Sequence, residues 1–181
     1  MTLIDELQQR IQTSQKALNI ILKLNRARNQ IKRPKKILKD IVELMLKEFE
    51  GKFCALVKID LEKKKIRVVS FAQIEDNLID YKLILRKDIV KKAINLQKIG
   101  VWSVKDLIKN RVLDPIEVAT IPLKVEQKSL GALLIGRKKE FDKSDKEIIE
   151  TSKVVISSIL YQIEFMERYC KDSFDNFVKK E

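Results

Sequence analysis

The side chains in this sequence that most suggest ligand binding are polar residues inside apolar runs. Ser70 and Thr120 are hydroxyl residues in otherwise apolar stretches, and Trp102 is the single tryptophan. A hydroxyl in such a place can hydrogen-bond a small ligand, and an indole ring can stack on one. The alternatives are a local backbone hydrogen bond for each hydroxyl and core packing for the indole. We treat these three residues as candidates for ligand binding.

Residues needed for the common catalytic mechanisms are missing from the sequence. The chain contains no histidine, which excludes Ser-His-Asp and Cys-His catalysis and His-ligated haem or zinc. Its two cysteines, Cys54 and Cys170, lie far apart and fit two reduced thiols of a cytosolic protein. No apolar run approaches the roughly 18 residues of a membrane span. We therefore expect a cytoplasmic, non-enzymatic protein without a metal or other cofactor.

Positive charge is concentrated near the start of the chain. Lys and Arg number 38 against 26 acids, a formal charge of +12, yet no acidic residue lies between positions 7 and 39. Arg26, Arg28, Lys32 and Arg33 are candidates for binding a polyanion. No aromatic residue accompanies them for base stacking, so a solvated helix face is the simpler interpretation and nucleic acid the alternative. Abundant Lys and Ile with few Gly residues are typical of a thermophile or of a biased genome.

Hydrophobic periodicity and turn residues predict nine elements. They are helices over 3–30 and 34–49, strands over 52–60 and 66–72, a helix over 88–97, strands over 101–104, 118–125 and 130–137, and a helix over 146–179. Pro34 fits the first turn of the second helix, and Gly51 fits a left-handed cap at its end. Asp142 or Ser144 is expected to cap the last helix. The apolar strand over 130–137 should be central, whereas Pro122 should sit at an edge or a break of its strand.

Apolar stripes on the terminal helices predict a homodimer. The first helix carries a heptad stripe, which consists of Ile4, Leu7, Ile11, Leu18 and Ile21. The last helix is apolar on more than one face, and we expect one seam of it to be left uncovered by a single chain. That seam is Ile149, Ile156, Ile159, Ile163, Met166, Cys170 and Phe177. Pairing of the terminal helices would bury both stripes.

The sequence over 119–136, ATIPLKVEQKSLGALLIG, resembles the GAF family's pattern of a strand with Pro-Leu, a polar turn and a strand with small-Gly-small-Leu. The segment FDKSD from Phe141 to Asp145 is similar to the Phe-x-x-x-Asp step that opens the family's last helix. The resemblance implies an α+β fold over 1–181, a GAF/PAS-like single domain. Its central antiparallel sheet of five to six strands would have long N- and C-terminal helices on one face, with a short helix and loops on the other. The basic N-terminal helix would span 1–33.

The resemblance also implies a pocket on the face of the sheet away from the terminal helices. Residues 87–97 and 101–104 would roof it, and the strands holding Ser70 and Thr120 would form its floor. Tyr81 and Arg86 could contact an anionic ligand there, with Trp102 near the rim. A small enzymatic branch of the family reduces free methionine sulfoxide with several cysteines gathered at the pocket, and this chain's two cysteines do not resemble that set.

Taken together, these features favour a small-molecule-sensing or signal-relaying regulatory domain that acts through dimeric terminal helices. Its ligand is unknown, and its effector would be a separate protein or would lie outside these 181 residues. One alternative is a dimerisation or scaffold module whose pocket is filled by its own side chains, such as Phe71, Tyr81 and Trp102. The other is a nucleic-acid-associated regulator that uses the basic segment 23–39.

Overall fold

Residues 2–29, 33–60, 65–74, 98–103 and 116–169 are described by the structure, a computed structural model. Within them lie three helices and five strands. In chain order they are α1 (Leu3–Arg28), α2 (Pro34–Glu48), β1 (Phe53–Asp60), β2 (Lys65–Gln73), β3 (Gly100–Ser103), β4 (Glu117–Val125), β5 (Lys128–Arg137) and α3 (Lys143–Tyr169). The helix predicted over 88–97 and the predicted end of the last helix, 170–179, lie outside the described residues.

Capping boxes fix where the two long helices begin. Thr2 Oγ1 accepts a hydrogen bond from the Asp5 N–H at 3.3 Å, and the Asp5 carboxylate accepts one from the Thr2 N–H at 2.8 Å. The same reciprocal pair opens α3, where the Asp145 N–H donates to Asp142 Oδ1 at 2.8 Å and the Asp142 N–H donates to Asp145 Oδ2 at 3.3 Å. These side chains satisfy N–H groups that a helix start leaves without partners. Of the two predicted caps, Asp142 rather than Ser144 closes the box.

The end of α2 corrects one prediction. Gly51 does not take the left-handed conformation; Glu50 does, with φ of 50°. The Glu50 N–H donates to the Lys47 carbonyl at 3.2 Å and the Gly51 N–H donates to the Leu46 carbonyl at 2.8 Å, the two bonds of a Schellman motif. The left-handed position therefore falls one residue earlier than the glycine. Gly51 is still constrained, because a Cβ there would lie 3.1 Å from Leu46 Cδ1.

The five strands form one antiparallel sheet in the order β2-β1-β5-β4-β3. The most apolar strand, β5, is central, as predicted. Pro122 lies in β4 opposite Ala132 of β5, whereas β3 pairs with β4 only over Glu117 to Thr120. Beyond Thr120, β4 thus pairs with β5 alone among the described strands. A proline without an N–H is tolerated there because no second ladder needs its hydrogen bond.

The two faces of the sheet pack into separate apolar clusters. The helix-side cluster joins α1, α2 and α3 to one face of the sheet, whose residues include Cys54, Leu56, Ala119, Ile121, Leu133 and Ile135. The opposite face has its own cluster, which consists of Phe53, Ala55, Val57, Ile116, Val118, Ala132 and Leu134. Because successive strand residues point to opposite faces, β1, β2, β4 and β5 each have residues in or against both clusters. The terminal helices therefore leave one whole face of the sheet to other elements.

Four residues of the predicted seam of the last helix are buried within a single chain, so the prediction that it is left uncovered is wrong for them, and Met166 is half-buried. Ile149, Ile156, Ile159 and Ile163 are all at most 2% exposed, and they belong to the helix-side cluster. The large apolar side chains that α3 leaves exposed are on its other side: Val154, Tyr161, Phe165 and Tyr169.

The heptad stripe of α1, by contrast, is exposed. Ile4, Leu7, Ile11 and Leu18 keep between 51% and 66% of their surface accessible. The side of α1 that packs on the domain includes Ile20, which is fully buried and lies about 200° around the helix from Leu18. The stripe thus faces away from the body of the domain. Ile21, which the pattern also assigned to it, is partly buried.

Ion pairs hold the second half of α3 against the sheet. Glu164 accepts from Lys128 at 2.9 Å and from Arg168 at 2.7 Å, and Glu167 pairs with Lys58 at 3.2 Å. Partial burial by itself raises the pKa of Glu164, but the hydrogen bond from Lys128 and the three neighbouring cations outweigh it and hold that pKa below its usual value. The carboxylate is therefore ionised in the folded protein. In the described part of the chain, no helix is long and apolar enough to cross a membrane.

Arg137, at the end of β5, joins three elements through a buried guanidinium. The residue is only 4% exposed and pairs with Asp145 in the first turn of α3. Its remaining N–H groups donate to the Phe49 carbonyl at the end of α2 at 3.4 Å, to the Lys139 carbonyl at 2.9 Å and to the Glu140 carbonyl. The Phe141 ring, whose centroid is 4.1 Å from the guanidinium carbon, stacks on it. A buried charge paired in this way is costly to break.

We expect Asp145→Ala to lower the free energy of unfolding by about 3–5 kcal/mol, because it leaves the Arg137 charge buried without its counter-ion. Asp142→Ala is the matched control, since it removes only the helix cap and should cost about 1 kcal/mol. Urea unfolding of both variants measures the difference. Equal losses in the two variants would show that Asp145 acts as a helix cap alone.

Candidate functional site

Two rows of paired residues cross the sheet on the face away from the helices. One row runs Gly100, Thr120, Leu134, Ala55 and Phe71, and the next runs Trp102, Val118, Gly136, Phe53 and Gln73. Directly paired residues point to the same face of a sheet. The register therefore brings Trp102 and Thr120, two of the predicted site residues, onto one surface at the β3–β4 edge.

Polar atoms on this surface are buried without hydrogen-bond partners. Among the described residues, Trp102 Nε1, Thr120 Oγ1 and Gln73 Oε1 have this property. Most buried polar side-chain atoms in proteins have a partner, so each exception needs an explanation. An empty hydrogen-bonding position costs about 1–3 kcal/mol. Hydrogen bonds to a bound ligand would offset this cost.

Trp102 and Thr120 lie close to one another. A Cβ built on Gly100 would be 2.7 Å from Trp102 Nε1, so the indole lies over Gly100. Thr120 is the residue directly paired with Gly100 on β4. The indole N–H and the threonine hydroxyl thus sit side by side, and Gly100 makes room for the ring by having no side chain.

Gln73 is too far away to join them. It lies on β2, four strand spacings across the sheet from β3, which is about 19 Å. The ring of Phe53 occupies the space between, since a Cβ on Gly136 would be 1.9 Å from Phe53 Cε1. Phe71 stacks on that ring at 6.4 Å between centroids. The β1–β2 half of the surface is therefore filled by aromatic rings, and the candidate site is the β3–β4 half.

Ser70 lies on the other face of the sheet. It pairs with Leu56, a member of the helix-side cluster, so the sheet separates it from Thr120. The predicted floor is thus formed by Thr120 without Ser70. Tyr81 and Arg86, together with the predicted roof over 87–97, lie outside the described residues, whereas residues 101–103 belong to the edge strand β3.

The cysteine thiol of β1 is not part of this surface. Cys54 is fully buried in the helix-side cluster, and burial raises the pKa of its thiol well above the ordinary value. A neutral thiol enclosed by apolar side chains is a poor nucleophile. Within the described ranges, no three Cys, Asp or Glu side chains gather in a way that would hold a metal ion.

A polar crevice lies between the first halves of α1 and α3. It has a volume of about 570 Å³ and is lined by Glu6, Gln9, Arg10, Thr13, Ser14, Lys143, Ser144 and Glu147. Because two of these side chains are acidic and two are basic, the crevice favours neither an anionic nor a cationic ligand. The predicted polyanion-binding residues are elsewhere: Arg26, Arg28 and Arg33 are exposed near the α1–α2 junction, and Lys32 is outside the described residues.

No protein-family model and no curated protein matches the sequence. Solved structures do match its fold. The GAF domain of an Acinetobacter phosphoenolpyruvate-protein phosphotransferase matches with a TM-score of 0.65 at 11% identity, covering 83% of this chain and 96% of that one. The fold is that of a GAF domain. The A. aeolicus nlh2 GAF domain in an inactive state matches this GAF-like domain with a TM-score of 0.62 at 13% identity, covering 86% and 99% of the two chains.

The same fold also occurs in an enzyme. Free methionine-R-sulfoxide reductase from Neisseria meningitidis, solved in complex with its substrate, matches with a TM-score of 0.60 at 13% identity, covering 82% of this chain and 92% of that one. A likeness at this level of identity establishes the fold and not the activity. The function of this GAF-like domain must therefore be inferred from the residues of its site.

The unpartnered hydroxyl of Thr120 makes a prediction about stability. Thr120→Val should raise the free energy of unfolding of the ligand-free protein by up to about 1 kcal/mol, because it removes a buried hydroxyl that has no partner. Thr120→Ser is the control: it keeps the hydroxyl, removes a buried methyl group and should cost about 1 kcal/mol. Chemical denaturation measures both. A large loss in Thr120→Val would mean that the hydroxyl is hydrogen-bonded in the folded protein.

Proposed function

We propose that this GAF-like domain is a non-catalytic regulatory module that senses a small molecule and responds through its terminal helices. One observation carries the proposal: the Trp102 N–H and the Thr120 hydroxyl are adjacent, buried and without partners. The GAF domains with the same fold, among them one solved in an inactive state, support a regulatory role. The two widely separated cysteines support a cytoplasmic location.

The chemistry of the two groups limits the ligand. An indole N–H can only donate a hydrogen bond, whereas a threonine hydroxyl can donate and accept. The described residues around them in the two rows, such as Val118 and Leu134, are apolar. The ligand we propose is therefore a compact, largely apolar molecule that places a carbonyl-type acceptor against Trp102 and Thr120.

Strand β4 supplies a path from this site to the helices. Thr120 lies between Ala119 and Ile121, which pack into the helix-side cluster. Further along the strand, the Lys124 N–H donates to Ser157 Oγ of α3 at 3.2 Å. A ligand that pulls Thr120 outward thereby acts on residues that hold α3. The response is a shift in the population of helix arrangements, limited by the ligand's differential affinity for them.

The output we propose is the pairing of two copies through α1. Its stripe of Ile4, Leu7, Ile11 and Leu18 is half to two-thirds exposed and faces away from the domain. Burying each of these side chains against a second copy would contribute on the order of 1 kcal/mol. Alternating three- and four-residue spacing is the pattern by which helices of two chains pack together.

A dimerisation module that binds no ligand is the second candidate. Phe53 and Phe71 fill part of the sheet's free face with their own rings, as that function requires. Detection of a ligand at the β3–β4 half separates the two candidates.

The ligand test uses Trp102, which is the only tryptophan and therefore the only source of indole fluorescence. Native mass spectrometry of protein purified from its own source should show a bound small molecule, and removing that molecule should change the Trp102 emission. Thr120→Val should weaken the affinity for that molecule by roughly tenfold, the effect of losing one hydrogen bond of about 1.4 kcal/mol. An emission spectrum and mass that are the same before and after mild denaturing extraction would contradict ligand sensing and favour the dimerisation module.

The dimer test places charge in the stripe. Leu7→Glu combined with Ile11→Glu should convert a dimer into a monomer at tens of micromolar, because two carboxylates would be buried against two others. Gln9→Glu with Gln12→Glu adds the same charge on other sides of α1 and should leave the dimer intact. Sedimentation equilibrium measures the mass. A wild-type protein that is already monomeric at this concentration would overturn the pairing.

A further inference from the structure

We propose that the corner between α1 and α2 binds the phosphate backbone of a nucleic-acid duplex. This basic corner consists of five side chains at the end of α1 and the start of α2: Arg26, Arg28, Arg33, Lys35 and Lys36. All five are exposed, and none forms an ion pair or hydrogen bond with any described residue. The site is independent of the ligand-binding face and of the stripe on α1.

Three other bases of the same acid-free segment make contacts within the domain, unlike the five of the corner. Lys23 pairs with Glu48 at 2.5 Å, and Lys39 pairs with Glu43 at 3.5 Å. Lys16 lies over the Phe49 ring, 5.2 Å from its centroid. These bases stabilise the contacts between helices or within one. The five bases of the corner make no contact of this kind with the described residues, and their charges repel one another at low salt.

Favourable interaction with a helix dipole explains the positions of only some of the bases in the corner. Arg26 and Arg28 are in the last turn of α1, where cations interact favourably with the helix dipole. Lys35 and Lys36 are in the first turn of α2, which contains no acid and whose N-cap residue, Arg33, makes no side-chain cap. Cations at a helix start are unfavourable by about 0.3–1 kcal/mol each. Their presence is a local cost that an anionic partner would remove.

The residue types favour phosphate over a lipid surface. Three of the five side chains are arginines, whose planar guanidinium binds phosphate oxygens in pairs. Membrane-surface helices also need a row of apolar side chains that insert beside the bases; Ile37, which follows Lys36, is fully buried, and Leu22 is the one large apolar residue exposed in the turn of α1 before Arg26. The described residues of the corner include no aromatic ring for base stacking. Contacts to a duplex backbone, without sequence reading, fit this set.

Fluorescence anisotropy with a labelled 20-base-pair DNA duplex tests the proposal on the full chain. If about four phosphates are neutralised, affinity should fall on the order of 100-fold between 50 and 200 mM salt. Replacing Arg26, Arg28 and Arg33 with Gln should lower the slope of log affinity against log salt by about 2.7 and weaken binding alike for unrelated sequences. Circular dichroism checks that the variant is folded.

The matched control replaces Lys139, Lys143 and Lys146 with Gln, which removes the same charge from exposed positions around the start of α3. It should change the salt slope by less than one unit. If both triple variants changed the salt slope equally, the binding would depend on net charge alone, and the proposal that the corner is a binding site would be wrong. Binding to phosphatidylserine vesicles without binding to the duplex would overturn it in favour of a membrane surface.

Discussion

The buried guanidinium of Arg137 is the constraint on which the arrangement of helices and sheet depends. It lies at the end of the central strand, pairs with Asp145 in the first turn of α3 and donates a hydrogen bond to the carbonyl of Phe49, the residue that follows α2. Removing its charge from water is costly, and only the complete set of partners offsets that cost. Both α2 and α3 are therefore fixed to the same end of β5. This commits the helices to one face of the sheet and leaves the other face for a separate role.

That division gives the two faces different chemistry. The helix side is closed by aliphatic side chains and keeps even the thiol of Cys54 neutral. The free side combines aromatic packing on β1 and β2 with two unpartnered polar groups on β3 and β4. A fully apolar surface would be expected if this face served packing alone. The two unpartnered polar groups thus lower local stability, and sites that do so in a folded protein are commonly binding sites.

Sequence reasoning recovered the elements because long apolar runs and capping residues act locally. The β4–β5 hairpin, the central position of β5, the start of α2 at Pro34 and the order of elements were all predictable. The sequence could not predict which face of the sheet Ser70 lies on. Whether Ser70 and Thr120 share a face depends on the register of pairing through the two strands between them and on a bulge at Leu56 and Val57. Arg137 was also missed, because in the sequence it is the first of four consecutive charged residues and nothing there distinguishes it from Lys138 and Lys139. Burial of the α3 seam depended on neighbours that lie far away in the sequence.

Two separate cores on one sheet have an evolutionary consequence. Substitutions at residues such as Val118 and Leu134 alter a cluster that shares no side chain with the one holding the helices. Side chains that contact only the free-face cluster can therefore change without altering the contacts that hold the helices, because effects at sites without shared partners are nearly additive. Selection on such a protein would act on one surface at a time.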